Sequence, residues 1–427
     1  MKRFRILFLL AMAACAAPAP PAAPAGLASR PPLPNPLQVV AAERLSAEPD
    51  TRYQPPPDYG KAIALGDRVM AVGAPAGTAG PESTDPGSVY IYRRGLTGWA
   101  QEARLKPGDQ DEEIHEVRRF GTALALQDPF LYISAPEVSD LNGTNTGAVY
   151  IFEHARGSWK QAAVLKSPDP APQAEFGTKI RIDGEHLGVL EGYYQGNLLR
   201  LFQGKGGEWR QTAEIQAKEL PGARNGIATF DLSGDTLAVA FQHVQGEEAQ
   251  AQITGEVLLY QFDGKTWTNT GSLPPEVFGG ELALDGNGGI ADRLAVGSNS
   301  ALSGFMSGAV VIFERNGEDW RLAETLGSPD TTSAMFWGYG YGPVALQSDL
   351  LLAGGPGYSE DSFWDGVAYL YQRHEGRWIE QLRLVPTEDG GSGDFFGSDV
   401  AIYGNTLLIS APDEFGNAVY VYDVGER

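Results

Sequence analysis

Apolar and polar residues alternate in short runs along most of this chain, and the runs return in a fixed order. The first kind opens on an aromatic–glycine pair and then alternates: YGKAIAL from Tyr59, FGTALAL from Phe120, FGTKIRI from Phe176, FGGELAL from Phe278 and FGSDVAI from Phe396. The second is apolar throughout and ends in small residues and proline: VMAVGAP to Pro75, LYISAP to Pro136, LLLAGGP to Pro356 and LLISAP to Pro412. The third is GSVYIY, GAVYIF, GEVLLY or GAVVIF, and the fourth starts near a tryptophan, as in WAQEARL at Trp99 and WKQAAVL at Trp159. Alternation with period two places one set of side chains on each face of a strand. The runs are short, rich in Val, Ile, Leu and Tyr, and bounded by Gly, Pro, Asp and Asn, which is strand chemistry. No stretch sustains a helical period.

The spacing between runs is tight. Tyr59 and Pro75, Phe120 and Pro136, and Phe396 and Pro412 are each 16 positions apart. Tyr92, Phe152, Phe202, Tyr260, Phe313 and Tyr371 each precede a tryptophan by seven: Trp99, Trp159, Trp209, Trp267, Trp320 and Trp378. Four strands recurring every roughly 50–60 residues are the signature of a β-propeller blade. Units begin near Tyr59, Phe120, Phe176, Gly226, Phe278, Gly340 and Phe396. The expected fold is therefore all-β, a seven-bladed propeller of four-stranded antiparallel blades. The fourth unit has lost its aromatic–glycine pair (NGIATFDL), the sixth is blurred (FWGYGYGPVAL), and the seventh stops at GNAVYVYDVGER, before a fourth run. The missing strand has a candidate in LQVVAAERLSAEPD, Leu37 to Asp50. Pairing it with Tyr420 to Asp423 would close the ring and remove its open edges.

In this scheme the aromatic lies near the end of the third strand and the tryptophan at the start of the fourth, so both fill the wide outer part of the wedge between blades. A buried tryptophan removes about 150–250 Å² from water, worth about 4–6 kcal/mol gross. The six tryptophans are thus expected in the core and not on a binding platform. Toward the axis the blades converge, and small residues fit. The equivalent inner positions are Ala64, Ala125, Arg181, Asp231, Ala283, Ala345 and Ala401. Two neighbouring blades break the rule with opposite charges, so Arg181 and Asp231 are expected to face each other near the channel, with Lys179 and Glu281 nearby. Such a pair either fixes blade packing or forms a small polar site.

The order of the FG and GAP motifs resembles that of FG-GAP repeat proteins, the family that includes the integrin alpha propeller, and is most similar to bacterial tandem FG-GAP proteins. The resemblance covers Leu37 to Arg427. It implies an extracytoplasmic seven-bladed propeller with an adhesive or interaction-mediating role, and it raises calcium. Many such repeats carry a DxNxDGxxD-like loop between the first two strands, where spaced oxygens wrap a hard cation. Here most of these loops are too short. The fifth unit alone has the length, LDGNGGIADRL: Asp285 and Asn287 match the first two ligand positions, Gly289 replaces a carboxylate, and Asp292 is one residue out of register. A solvated glycine-rich turn is the competing reading. Asp140 and Asn142 in SDLNGTN form a similar fragment. The expectation is a protein without a cofactor, with calcium at Asp285, Asn287 and Asp292 as the candidate exception.

Composition changes this picture in a few places. The formal net charge is −22, which repels phosphate backbones and makes nucleic acid a poor partner. MKRFR followed by ILFLLAMAA reads as a secretory signal, since the apolar run is too short to span a bilayer. It leads into Cys15, the single cysteine of the chain, so no intrachain disulfide can form. The string MAAC resembles a bacterial lipobox in which Met12 stands in place of leucine. By that resemblance residues 1–14 are a signal peptide and Cys15 carries the lipid; the alternative is an ordinary signal peptide on a secreted protein. Residues 16–36 are rich in Ala and Pro, a stalk that cannot bury apolar surface.

GxSxG, HExxH and P-loop motifs are absent, and the five histidines lie in different units without ligand spacing. DGKTW at Asp263 resembles the Asp-box of sialidases but sits where each unit has its turn. GYSEDSFWDG carries Glu360, Asp361, Phe363, Trp364 and Asp365, rings and acids outside the core pattern. Exposed aromatics on a loop suit a partner contact, unless the loop folds them inward. The expected function is a lipid-anchored, monomeric, non-catalytic propeller that displays a surface to an envelope or extracellular protein or glycan. The alternatives are a glycan-acting hydrolase or lyase using the axial channel and a purely structural envelope protein. A close carboxylate pair with an arginine in the channel would favour the enzyme.

Overall fold

The computed structural model describes residues 36–47, 58–75, 85–108, 114–169, 171–192, 198–217, 223–245, 252–274, 279–286, 290–298, 309–327, 342–357, 366–386, 395–412 and 417–426. These form seven four-stranded antiparallel sheets and one two-stranded ribbon, Ile114–Glu116 with Ser139–Asp140. Blade 2 is typical: Leu124–Gln127, Phe130–Ala135, Ala148–Ala155 and Ser158–Lys166 run from the axis outward. The innermost strands of blades 1 to 7 are Ile63–Leu65, Leu124–Gln127, Lys179–Asp183, Ala223–Ser233, Gly279–Asp285, Val344–Gln347 and Val400–Tyr403. Each touches the next, and the seventh touches the first, so the ring is closed. Among the described residues, no helix is long and apolar enough to cross a membrane.

Blade 7 takes its outer strand from the other end of the chain. Leu37–Leu45 pairs antiparallel with Ala418–Glu426, with Arg44 opposite Tyr420 and Ala41 opposite Asp423. The borrowed strand also takes on an outer strand's side-chain duties. Glu324, opposite Ile312 in blade 5, accepts the backbone amide of Trp378 in blade 6 at 2.8 Å. Glu43, opposite Val421, does the same for the amide of Trp99 in blade 1 at 3.2 Å. Arg94, which opposes Trp99, reaches back to Asp423 at 2.5 Å. The blade 7–blade 1 seam is thus tied through both ends of the chain.

The seven-residue interval between aromatic and tryptophan has a geometric cause. In blades 1 to 6 the outer pair slips register by one residue at that aromatic, for example between Ile151 and Phe152 in blade 2. Such a bulge bends the strand. Beyond it the strands close in a short turn, which brings Trp159 opposite His154. Each tryptophan then packs into the wedge shared with the preceding blade, Trp378 against blade 5 and Trp99 against blade 7. Trp99 and Trp378 are buried, whereas Trp159, Trp209, Trp267 and Trp320 are half-buried. All six rings pack on the core clusters, as expected, but they differ in depth. The outermost strand has no sheet neighbour beyond it, so only rings leaning far enough inward are covered.

The aromatic–glycine pairs dock one blade on the previous one. Phe120, Phe176 and Phe396 form parallel bridges with Gly87, Gly147 and Gly366, the glycines that open the third strands. Gly147 has φ +76°, and a Cβ there would lie 2.2 Å from the Phe176 nitrogen. A side chain at that position is excluded by both backbone conformation and space.

Candidate functional site

Seven inner strands meet at the axis, and at the inner position five of them carry alanine while blades 3 and 4 carry Arg181 and Asp231. Two residues earlier, blades 3, 4, 5 and 7 carry Lys179, Thr229, Glu281 and Asp399. Lys179 Nζ lies 2.5 Å from Glu281 Oε2 and also donates to Thr229 Oγ1. Arg181 Nε lies 3.2 Å from Asp231 Oδ1, and its Nη2 lies 3.8 Å from Glu281. Asp231 Oδ2 accepts the Leu284 amide at 2.7 Å, which ties blade 4 to blade 5. Asp399 Oδ2 accepts the Ile63 amide at 3.1 Å, which ties blade 7 to blade 1, and Oδ1 accepts the amide of Val400. Hydrogen bonds and ion pairs therefore link blades 3, 4 and 5, and Asp399 of blade 7 is coupled to them through the charges of Arg181 and Glu281.

The network is one negative charge out of balance: Lys179 and Arg181 face Asp231, Glu281 and Asp399. Burial lowers the Lys179 pKa, and the attraction of Glu281 restores only part of it. Burial also disfavours the Arg181 cation, but Asp231, Glu281 and Asp399 together outweigh it and raise its pKa. Glu281 ends below the ordinary carboxylate range because Lys179 and Arg181 overcome its burial. Asp231 ends above that range, burial exceeding the pull of Arg181. Asp399 is pushed up to about 6, by burial first, with Arg181 opposing and Glu281 adding repulsion. Nearby charge therefore separates three axial carboxylates by what each is paired with. The Arg181 and Glu281 side chains keep 37% and 31% of their surface in water although they belong to innermost strands. Both side chains therefore reach solvent in part.

Thr229 and Asp399 were not singled out from the sequence. Both sit two residues before the inner position compared above, where the blades read Ala62, Ala123, Lys179, Thr229, Glu281, Pro343 and Asp399. The same comparison at this second position would have found them.

The other candidates fall into two groups. Asn287, Cys15 and the loop residues Glu360, Asp361, Phe363, Trp364 and Asp365 lie outside the described residues. Asp285 and Asp292 are described, and both carboxylates lie against Arg293, at 3.5 and 3.3 Å. Asp285 also accepts the Ser348 amide of blade 6 at 2.9 Å. A guanidinium beside both carboxylates does not fit a calcium shell, which needs six to eight oxygens. No group of three or more metal-capable side chains occurs among the described residues. Asp140 Oδ1 accepts the amides of Asn142 and Thr144, and Asp263 Oδ1 those of Lys265 and Thr266. Both carboxylates close turns, and these amides lower their pKa values, Thr144 and Thr266 contributing most.

Fold and axis together define a seven-bladed β-propeller with a polar half-ring at its centre. A match to the FG-GAP repeat family spans residues 378–422. That window starts on the outer strand of blade 6 and ends on the third strand of blade 7, so the sequence repeat runs one strand out of phase with the blade. The chain is a seven-bladed β-propeller that carries a match to the FG-GAP repeat at the junction of blades 6 and 7. No curated protein matches it in sequence. Among solved structures, one titled as a new family of polysaccharide lyase, the PL25 ulvan lyase, is similar at 12% identity and a TM-score of 0.49. The match covers 87% of this chain and 95% of that one.

Proposed function

We propose that this propeller is a non-catalytic binding module displayed outside the cytoplasm on the cell envelope, held there by lipid on Cys15 and a stalk of residues 16–36. The basic and apolar N-terminal runs before the single cysteine support the placement. The observation that carries the binding role is the engagement of the axial carboxylates. Asp231 and Asp399 hold backbone amides of neighbouring blades, and Glu281 holds Lys179. Groups fixed by donors from several blades suit recognition by hydrogen bonds better than repeated proton transfer, which needs a side chain free to exchange its proton with substrate.

The second reading is a glycan-acting hydrolase or lyase at the axis. It has one observation in its favour: Asp399, pushed up to about 6, faces the charge of Arg181 and Glu281. That value suits general acid–base work. Incubating the full-length protein with polysaccharides and assaying new reducing ends separates the two, and any Asp399-dependent cleavage selects the enzyme.

The binding reading is tested by immobilising the full-length protein against envelope extract, beside a Phe363→Ala, Trp364→Ala variant. A specific partner held by the parent and lost by the variant supports a loop-borne contact; retention of nothing by either refutes it. Labelled palmitate should enter the parent and not Cys15→Ala. Equal incorporation would remove the anchor.

A further inference from the structure

We propose that the axial half-ring of blades 3, 4, 5 and 7 is a ligand site for a neutral polyhydroxylated group, such as one ring of a saccharide. This rests on the reading of the propeller as a binding module and names the chemistry its axis recognises.

The first argument is an inventory of unspent hydrogen-bonding capacity. A guanidinium carries five N–H donors and an ammonium three. Among the described residues Arg181 commits Nε to Asp231 and one Nη1 hydrogen to the Ile180 carbonyl at 3.1 Å. Its approach to Glu281 at 3.8 Å is too long for a hydrogen bond. Lys179 commits two of its three donors, to Thr229 and Glu281. On the acceptor side, Asp399 takes one backbone amide on each oxygen and has lone pairs left. Glu281 uses Oε2 for Lys179 and Thr229, leaving Oε1. Donors and acceptors thus stand unspent within one cluster, where solvent reaches Arg181 and Glu281. A hydroxyl both donates and accepts, and adjacent hydroxyls on a ring present the pair that guanidinium and carboxylate complement.

The second argument is the sign of the charge. A cationic ligand would meet Lys179 and Arg181, and an anionic one would meet Asp231, Glu281 and Asp399. With both signs this close, either charged ligand pays repulsion that a neutral one avoids. The chain's net charge of −22 adds to the case against anions.

The test uses the full-length protein in detergent solution with maltotriose, cellotriose and triacetylchitotriose as probes. Trigalacturonate and spermidine serve as charged controls. Binding is followed by saturation-transfer NMR and titration calorimetry. The expected result is saturable binding of at least one neutral trisaccharide, with both charged controls at least about tenfold weaker. Asp399→Ala and Arg181→Lys should each weaken it by about tenfold or more, the usual effect of losing one hydrogen bond to a charged group. Circular-dichroism melts confirm that each variant is folded, and Arg181→Lys, which keeps the charge facing Asp231 and removes the unspent guanidinium donors, keeps the test valid should Asp399→Ala misfold. Absence of binding by all three neutral probes overturns the proposal. So does equal affinity in parent and Arg181→Lys. An envelope partner captured equally by parent and Asp399→Ala, with no trisaccharide bound, would leave the binding-module reading standing and overturn the axial site alone.

Discussion

The wedge between blades 5 and 6 and the axis of blades 3 to 5 are built from the same repeat, yet they differ in how closely they follow it. In the wedge, Trp378, Tyr371, Tyr369, Ile312 and Leu326 pack as one buried cluster, and similar residues recur in every other wedge. There the repeat needs only shape and apolar area, which one pattern can supply many times. At the axis the pattern is small residues, and Lys179, Arg181, Thr229, Asp231, Glu281 and Asp399 depart from it. A departure that buries charge and ends one carboxylate out of balance costs stability, and departures of that kind concentrate at functional sites. Order in the wedge and exception at the axis therefore mark scaffold and site.

The sharpest break in the scaffold is its closure. Deleting Leu37–Leu45 strips blade 7 of its outer strand, the Glu43 contact to Trp99 and the Leu37 contact to Gln381. Cooperative thermal unfolding followed by circular dichroism should be lost; a melt matching that of the parent would refute closure as described. Within the wedge, Trp378→Ala should cost about 3–5 kcal/mol in denaturant unfolding, as a fully buried ring does. Trp320→Ala, half-buried at the same position of blade 5, should cost clearly less. Equal losses would mean that burial does not set the value of the ring.

At the axis, Lys179→Ala leaves Glu281 without its closest cation and should cost about 2–4 kcal/mol. Lys179→Ala with Glu281→Ala should recover much of that loss. A double variant as unstable as the sum of the singles would show two independent structural roles rather than one coupled pair. Smallest of all should be the effect of EDTA, which is expected to leave the melting midpoint unchanged. Arg293 already lies against both Asp285 and Asp292, so a fall of several degrees would restore the calcium loop.

The scaffold was legible because its constraints repeat. Phe176 must meet Gly147 across blades, and Trp159 must follow Phe152 by a bulge and a short turn, so both spacings recur and can be read by aligning the chain with itself. The tryptophans were legible as core residues but not in their depth: sequence shows where a ring starts its strand, and not how far it leans into the wedge. Arg181 and Asp231 were visible as exceptions to the alanine rule. Thr229 and Asp399 were not, because only one inner position was compared. The charge coupling of Arg181 to Asp399 depends on how ring closure brings blade 3 toward blade 7, which no local pattern encodes. Blade 3 carries another exception of this kind. Arg200 takes the place of Tyr150, and its partner Glu191, 2.5 Å away, takes the place of Ala135, a buried exchange in two neighbouring strands.

The central claim is that the axis carries an excess carboxylate at the expense of stability. Asp399 has a folded-state pKa of about 6 against an ordinary value of 3.8. Its folded form holds the proton more tightly than the unfolded chain does, so its ionisation destabilises the fold as pH rises through 6. The penalty is fully present at pH 7.5 and disappears below about pH 4. The direct measurement is chemical unfolding of parent and Asp399→Asn at pH 7.5 and pH 4. The account predicts that the variant is more stable by about 1–3 kcal/mol at pH 7.5 and indistinguishable at pH 4. A variant less stable than the parent at pH 7.5 would contradict it, because the ionised carboxylate would then be holding the ring together.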